Sequence, residues 1–155
     1  HVGSTQADVT GAMLVSGALS LPGFAGTLLL PRIGRKRALI GGTIGMGFCF
    51  LLLATVPNVL DYGVPALGLY TMAVALNWAG PAPATYSIPA EIYPTSCRAT
   101  LHGISAASGK LGAAISSSLF GDLVAAYGLP DTFAILAVVC ILAAALGLAF
   151  VPSYG

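Results

Sequence analysis

The chain has 155 residues, of which 57% are hydrophobic and only 7% charged, with a formal net charge of +1. A soluble domain carries about 25% charged residues, so this composition excludes an ordinary soluble globule; a bilayer, which asks for no polar surface, accounts for it. The near-neutral balance also excludes the basic stripe of a nucleic-acid binder. Cys49, Cys97 and Cys140 show no CxxC spacing, and with two histidines there is no His/Cys cluster. Neither a metal site nor a cofactor is expected. The chain opens on His1 with no basic n-region or signal peptide, and reads as a piece of a longer protein.

Five uncharged or nearly uncharged runs predict an all-α, polytopic membrane bundle of five transmembrane helices. The first, residues 9–30, is long enough at about 1.5 Å per residue to cross a hydrocarbon core of about 30 Å. The basic loop PRIGRKR (31–37) leads to the second, 38–56, and the turn-rich loop PNVLDYG (57–63) to the third, 65–90. The loop EIYPTSCRATLH (91–102) precedes the fourth, 103–127; GLPD (128–131) precedes the fifth, 132–151. Gly41 and Gly45 in GGTIGMG form a small-xxx-small pair, and such residues let helices approach closely in lipid.

Charge sets the orientation. Arg32, Arg35, Lys36 and Arg37 lie between the first two helices and Arg98 between the third and fourth, on one side of the serpentine. The other side has Asp8, Asp61 and Asp131 and no Lys or Arg. The positive-inside rule then makes the basic loops, and the C-terminus, cytoplasmic.

The fourth run contains Lys110 in LHGISAASGKLGAAISSSLF (101–120), with no acidic residue within ten positions. At 100° per residue its face holds Gly103, Ala106, Ala107, Ala113, Ala114 and Ser117, while Ile104, Leu111, Ile115 and Leu119 lie opposite. A lysine facing lipid at mid-depth costs at least ~2.5–3.5 kcal/mol. Either it snorkels back toward His102, or it faces a wet cavity; small neighbours on its own face favour the cavity. An enzymatic Ser–Lys dyad of the SxxK type fails, because position 107 is alanine, so no catalytic residue is expected. Asp122, near the outer end of the same helix, is read as an interfacial residue.

The third run cannot be one regular helix, since NWAGPAPATYSIPAEIYP (77–94) carries Gly80, Pro81, Pro83 and Pro89. Freed backbone groups at membrane depth survive against protein or a water-lined cavity, and broken helices often line transporter sites. Asn77, Thr85 and Tyr86 supply polar side chains near the break, where the alternative is an inter-helix hydrogen bond.

GRKR (34–37) and PAEIYPTSCRAT (89–100) resemble the second half of a major facilitator superfamily transporter, helices eight to twelve. PAEIYPTSCRATLHGISAASGK (89–110), above all HGISAASGK, is similar to the phosphate:proton symporters of fungi and plants. The resemblance implies the major facilitator fold and proton-coupled phosphate symport by alternating access, with no enzymatic activity. Its partners are then phosphate or another anion, protons, the lipid bilayer and the N-terminal half of the same transporter, in the plasma membrane. It makes Lys110 the anion anchor and Glu91 and Arg98 a conformational latch pair, with Arg35 and Lys36 beside them, or else solvated loop charges; Tyr86 and Asn77, polar residues near the break, are the weaker candidates for substrate contact. It places the proton-carrying acids mostly in helices outside this chain. Two positions depart from the phosphate family: its helix-ten GPN asparagine corresponds to Ala82, and the Asp before its GRK-type motif corresponds to Pro31. Gly80-Pro81-Ala82-Pro83 matches the GPxP of sugar porters instead. A carrier of an organic anion or sugar, and a non-transporting truncated copy, are the alternatives.

Overall fold

The computed structural model describes residues 30–56 and 64–151, together with Leu14, Gly17, Ala18 and Gly23. The expected first helix, 9–30, and the turn at 57–63 lie largely outside the described residues. Within them the chain is helical, without a strand. It forms α1 (Leu30–Ile33), α2 (Arg35–Thr55), α3 (Val64–Ala79), α4 (Pro81–Ile92) and α5 (Arg98–Phe150).

Two of these helices, α2 and α5, are long and apolar enough to cross a membrane. At about 1.5 Å per residue the 53 residues of α5 would extend far beyond one bilayer as a straight rod. It is not one rod: Gly128 stands at φ 84°, ψ 169°, and Pro130 follows. The left-handed φ is open to glycine without a Cβ clash. The Gly128 carbonyl accepts a 2.7 Å hydrogen bond from the hydroxyl of Thr132, a buried residue, which braces the break. α5 therefore has two limbs, 98–127 and 129–150, and the break falls where GLPD predicts a loop.

The central element is α2. Gly45 lies against Leu76, Gly42 against Pro81 and Gly80 against Ala38, so α3 and α4 run antiparallel to it. Gly47 meets Cys140 and Gly147 meets Leu39 and Ile40, so the second limb of α5 is antiparallel to α2 as well. Leu53 and Phe133 form the buried core, with Phe50, Leu69 and Leu136 packed against them. The Phe50 and Phe133 rings stack at 5.9 Å. The first limb, 98–127, lies against α4, with Tyr93 bonded to Ser105 and the Tyr86 ring beside His102. Along residues 107–122 of this limb every residue is exposed, Leu111, Ile115 and Leu119 included.

Three expectations are corrected. The glycines in close approach to α3 and α4 are Gly42 and Gly45; Gly41 faces open space, because α3 and α4 lie on the neighbouring side of the helix. The basic loop is shorter than 31–37: α2 begins at Arg35, its long cationic side chains reaching out from a helical backbone. The loop 91–102 shrinks to residues 93–97, since α4 carries Glu91 and runs on to Ile92, and α5 starts at Arg98.

Gly80 breaks the third predicted helix, joining α3 to α4 where a Cβ would enter the Ala38 carbonyl. Gly80→Leu in the full-length protein is expected to lower the thermal midpoint in detergent sharply, since overpacking costs about 1–3 kcal/mol even against movable side chains. Gly41→Ala, with open space around it inside a helix, should leave stability unchanged or raise it by up to about 1 kcal/mol. Equal melts for the two would contradict this packing.

Candidate functional site

A groove of about 450 Å³ opens between α4 and the first limb of α5. From α4 it is lined by Thr85, Tyr86 and Pro89; from α5 by His102, Ser105, Ala106, Ser108, Gly109, Lys110 and Ala113. The small residues of HGISAASGK leave this space. His102, Ala106 and Lys110 follow at four-residue intervals and so share a face of the helix. Lys110 lies twelve residues into α5, about 18 Å from its start.

The hydroxyls divide into two kinds. Thr85 donates to the Ala82 carbonyl at 2.7 Å and Ser108 to the Ser105 carbonyl at 2.8 Å, so both present lone pairs to the groove. Ser105 shares a 2.8 Å hydrogen bond with the hydroxyl of Tyr93. The donors left to face a guest are the Lys110 ammonium, the Tyr86 hydroxyl and the imidazole of His102. Tyr86 and His102 lie against each other with ring centroids 6.4 Å apart. Lys110 is the one formal charge among the described lining residues, apart from whatever charge His102 carries. Such a set suits an anion: a cation with neutral donors around it and no carboxylate to oppose it.

Two of the expected substrate residues, Lys110 and Tyr86, come together here from separate helices. Asn77 does not; it lies on α3, outside the lining of the groove. His102 and Ser105 join the site although neither was singled out beforehand. Their signal was the four- and three-residue spacing through HGIS toward Lys110.

The residues expected as latches gather at one end of the bundle. Arg35 forms an ion pair with Glu91, joining the first turn of α2 to the last of α4. Lys36 donates to the Leu148 carbonyl at 2.9 Å, capping the C-terminal end of α5. Arg98 donates through Nε to the Tyr93 carbonyl at 3.1 Å, bracing the 93–97 turn. The anticipated pairing of Glu91 with Arg98 is thus replaced by Glu91 with Arg35. The reason is geometric: antiparallel packing brings residue 35 to residue 91, while Arg98 is drawn to the turn beside it. Both partners of the ion pair are exposed, and such pairs contribute about 0–1 kcal/mol. Among the described residues there is no group of three or more His, Cys, Asp or Glu able to hold a metal ion.

The profile of the family described as Sugar (and other) transporter matches residues 2–154. The chain belongs to this family, a branch of the major facilitator superfamily of integral membrane transporters. Among its relatives is the "Probable inorganic phosphate transporter 1-6" of Arabidopsis thaliana, 38% identical over 126 residues, 76% of this chain and 24% of that protein. The "Inorganic phosphate transporter PHO84" of Saccharomyces cerevisiae is 36% identical over 116 residues, 74% of this chain and 19% of its own length. The "Probable inorganic phosphate transporter 1-9" of Oryza sativa subsp. japonica is 34% identical over 155 residues, 90% of this chain and 27% of that protein. The chain thus spans about a quarter or less of the length of the curated relatives it matches. No solved structure matches it.

The Tyr93–Ser105 hydrogen bond ties the end of α4 to α5 and should be worth about 0.5–1.5 kcal/mol. Tyr93→Phe and Ser105→Ala are each expected to lose that amount in detergent melts of the full-length protein, and the double variant no more than either alone. Full additivity would mean that the two hydroxyls do not bond to each other.

Proposed function

We propose that the chain is part of a carrier that moves inorganic phosphate together with protons by alternating access, and that Lys110 anchors the anion. The observation that carries this reading is the donor set of the groove: the Lys110 ammonium, the Tyr86 phenol and the His102 imidazole, with no carboxylate among the described lining residues. The names of the relatives support phosphate as the anion. Asn77 has no part in this site in the conformation described.

In this reading the chain contributes five membrane helices, with α3 and α4 making one broken span and the two limbs of α5 making two. The exposed face of residues 107–122 is then the face turned to the N-terminal half of the transporter and the central path. The end that carries Arg35, Lys36, Glu91 and Arg98 is cytoplasmic, following the positive-inside rule. There the Arg35–Glu91 pair and the Lys36 cap hold the helix ends together while the carrier is closed to the cytoplasm, and part when it opens. An exposed pair suits such a task, because it is weak enough to break in each cycle. The plasma membrane is the proposed location. No chemical transformation of the solute is involved.

A second reading has one observation in its favour. Gly80-Pro81-Ala82-Pro83 stands at the break with alanine where phosphate symporters carry asparagine, which suits a sugar or an organic anion.

Uptake by the full-length protein in proteoliposomes separates these readings. Labelled phosphate is expected to accumulate under an inward proton gradient. Lys110→Ala should lower kcat/KM by about 10- to 150-fold, the equivalent of losing a hydrogen bond to a charged group worth about 1.5–3 kcal/mol. Uptake of a neutral sugar, undiminished in Lys110→Ala and without phosphate transport, would overturn the proposal.

A further inference from the structure

His102 is not a residue that anion binding explains by itself. Its ring lines the groove, yet its Nδ1 is buried and has no hydrogen-bond partner among the described residues. A neutral imidazole carries one N–H and one lone pair; the protonated ring carries two N–H groups and a positive charge. Burying a lone pair without a partner costs less than burying an unpaired N–H that also bears charge. The packing described therefore suits the neutral ring, with its proton on Nε2 and the lone pair on Nδ1.

A second proton would have to go to Nδ1, and there it meets no acceptor. The groups that face the ring do not supply one. From α4 comes the aromatic face of Tyr86. From its own helix come Ser105, whose oxygen makes no hydrogen bond to Nδ1, and, about two turns further on, Lys110, which is no acceptor. The carboxylate at the end of α4, Glu91, is held by Arg35. Arg98, four residues before His102, is another cation, turned to the Tyr93 carbonyl. For Nδ1–H to find water or a carbonyl, the ring has to swing into the groove or α4 has to draw away from α5.

We propose that His102 is a proton-binding site whose occupancy is tied to the packing of α4 against α5, so that taking up a proton and loosening the groove are one event. The proton passes from groove water to Nδ1 and returns there, with no bond made or broken in the solute. Linkage makes the relation reciprocal: a proton that needs the groove loosened in turn favours the loosened state. Imidazole is suited to this, since it changes charge within the physiological range. Where the solute is an anion, as in the function proposed above, the imidazolium adds a second positive charge beside Lys110, and proton and anion bind together better than either does alone. This last consequence rests on the phosphate reading; the proton site itself does not.

The test uses the full-length protein in proteoliposomes, with Cys49, Cys97 and Cys140 replaced and a single reporter, Ala113→Cys, placed in the groove about 16 Å along the helix from His102, too far for the imidazolium to shift the thiol. A maleimide measures the labelling rate at about pH 7.5 and about pH 5.5, beside the same reporter in His102→Gln and His102→Asn. The ratio of the two rates, with and without the histidine, cancels the titration of the thiol. That ratio is expected to rise about fivefold or more on acidification; an unchanged ratio against both variants would overturn the proposal. The second arm is the pH dependence of the phosphate KM, which should fall more steeply toward acid with His102 than in either variant. Equal slopes would also count against the site. A protein that takes up no phosphate at all defeats the phosphate reading and leaves the labelling ratio to decide the role of His102.

Discussion

A lysine set about 18 Å into a membrane helix has to be met by something other than lipid. Much of the arrangement of this chain turns on that constraint. Gly80 and Pro81 break the span that faces Lys110, and the break lets α4 bring Thr85 and Tyr86 to the lysine side of α5. The residues around Lys110 on its own helix are glycine, alanine and serine, which leave a groove of about 450 Å³ instead of a packed seam. Neither feature would be needed if the lysine simply reached back to water.

The same packing that forms the groove fixes its charged end. The antiparallel run of α3, α4 and the second limb of α5 along α2 rests on close contacts at Gly42, Gly45, Gly47, Gly80 and Gly147. Those contacts set the register that brings Arg35 to Glu91 and Lys36 to the last carbonyls of α5. The core holds the helices in order, and the exposed charges add little stability of their own. The Arg35–Glu91 pair ties α2 to α4, the helix that lines one side of the groove. A change in how those ends are held bears directly on the contact between α4 and α5.

The breaks were legible in the sequence, because glycine and proline leave local signatures. Gly80-Pro81 and Gly128-Leu129-Pro130 mark real interruptions of the helical backbone. Helix ends were less legible. Charge was used to bound the apolar runs, yet Arg35, Glu91 and Arg98 all sit on helical backbone, since a helix can run past the hydrocarbon and carry its charges outside it. The ion pair of Arg35 joins residues 56 positions apart in the chain; no local pattern announces it, and the nearer Arg98 seemed the natural partner for Glu91. At the site, Lys110 stood out because a charge in an apolar run is rare. Tyr86 was found through its place beside the break. His102 went unmarked because it fell at the edge of a run, and only the three-dimensional contact with Tyr86 shows that its ring belongs to the groove. Asn77 was expected on the strength of being polar near the break, but the turn at Gly80 separates α3 from the face that α4 presents.

The central claim is that this groove recognises an anion through Lys110. The most direct measurement is equilibrium binding of labelled phosphate to the purified full-length protein, with unlabelled phosphate and a neutral sugar as competitors, in the parent and in Lys110→Gln. Saturable binding displaced by phosphate but not by sugar, and weakened at least about tenfold by the substitution, is the predicted result. Binding displaced by the sugar, or unaffected by loss of the ammonium, would contradict the account.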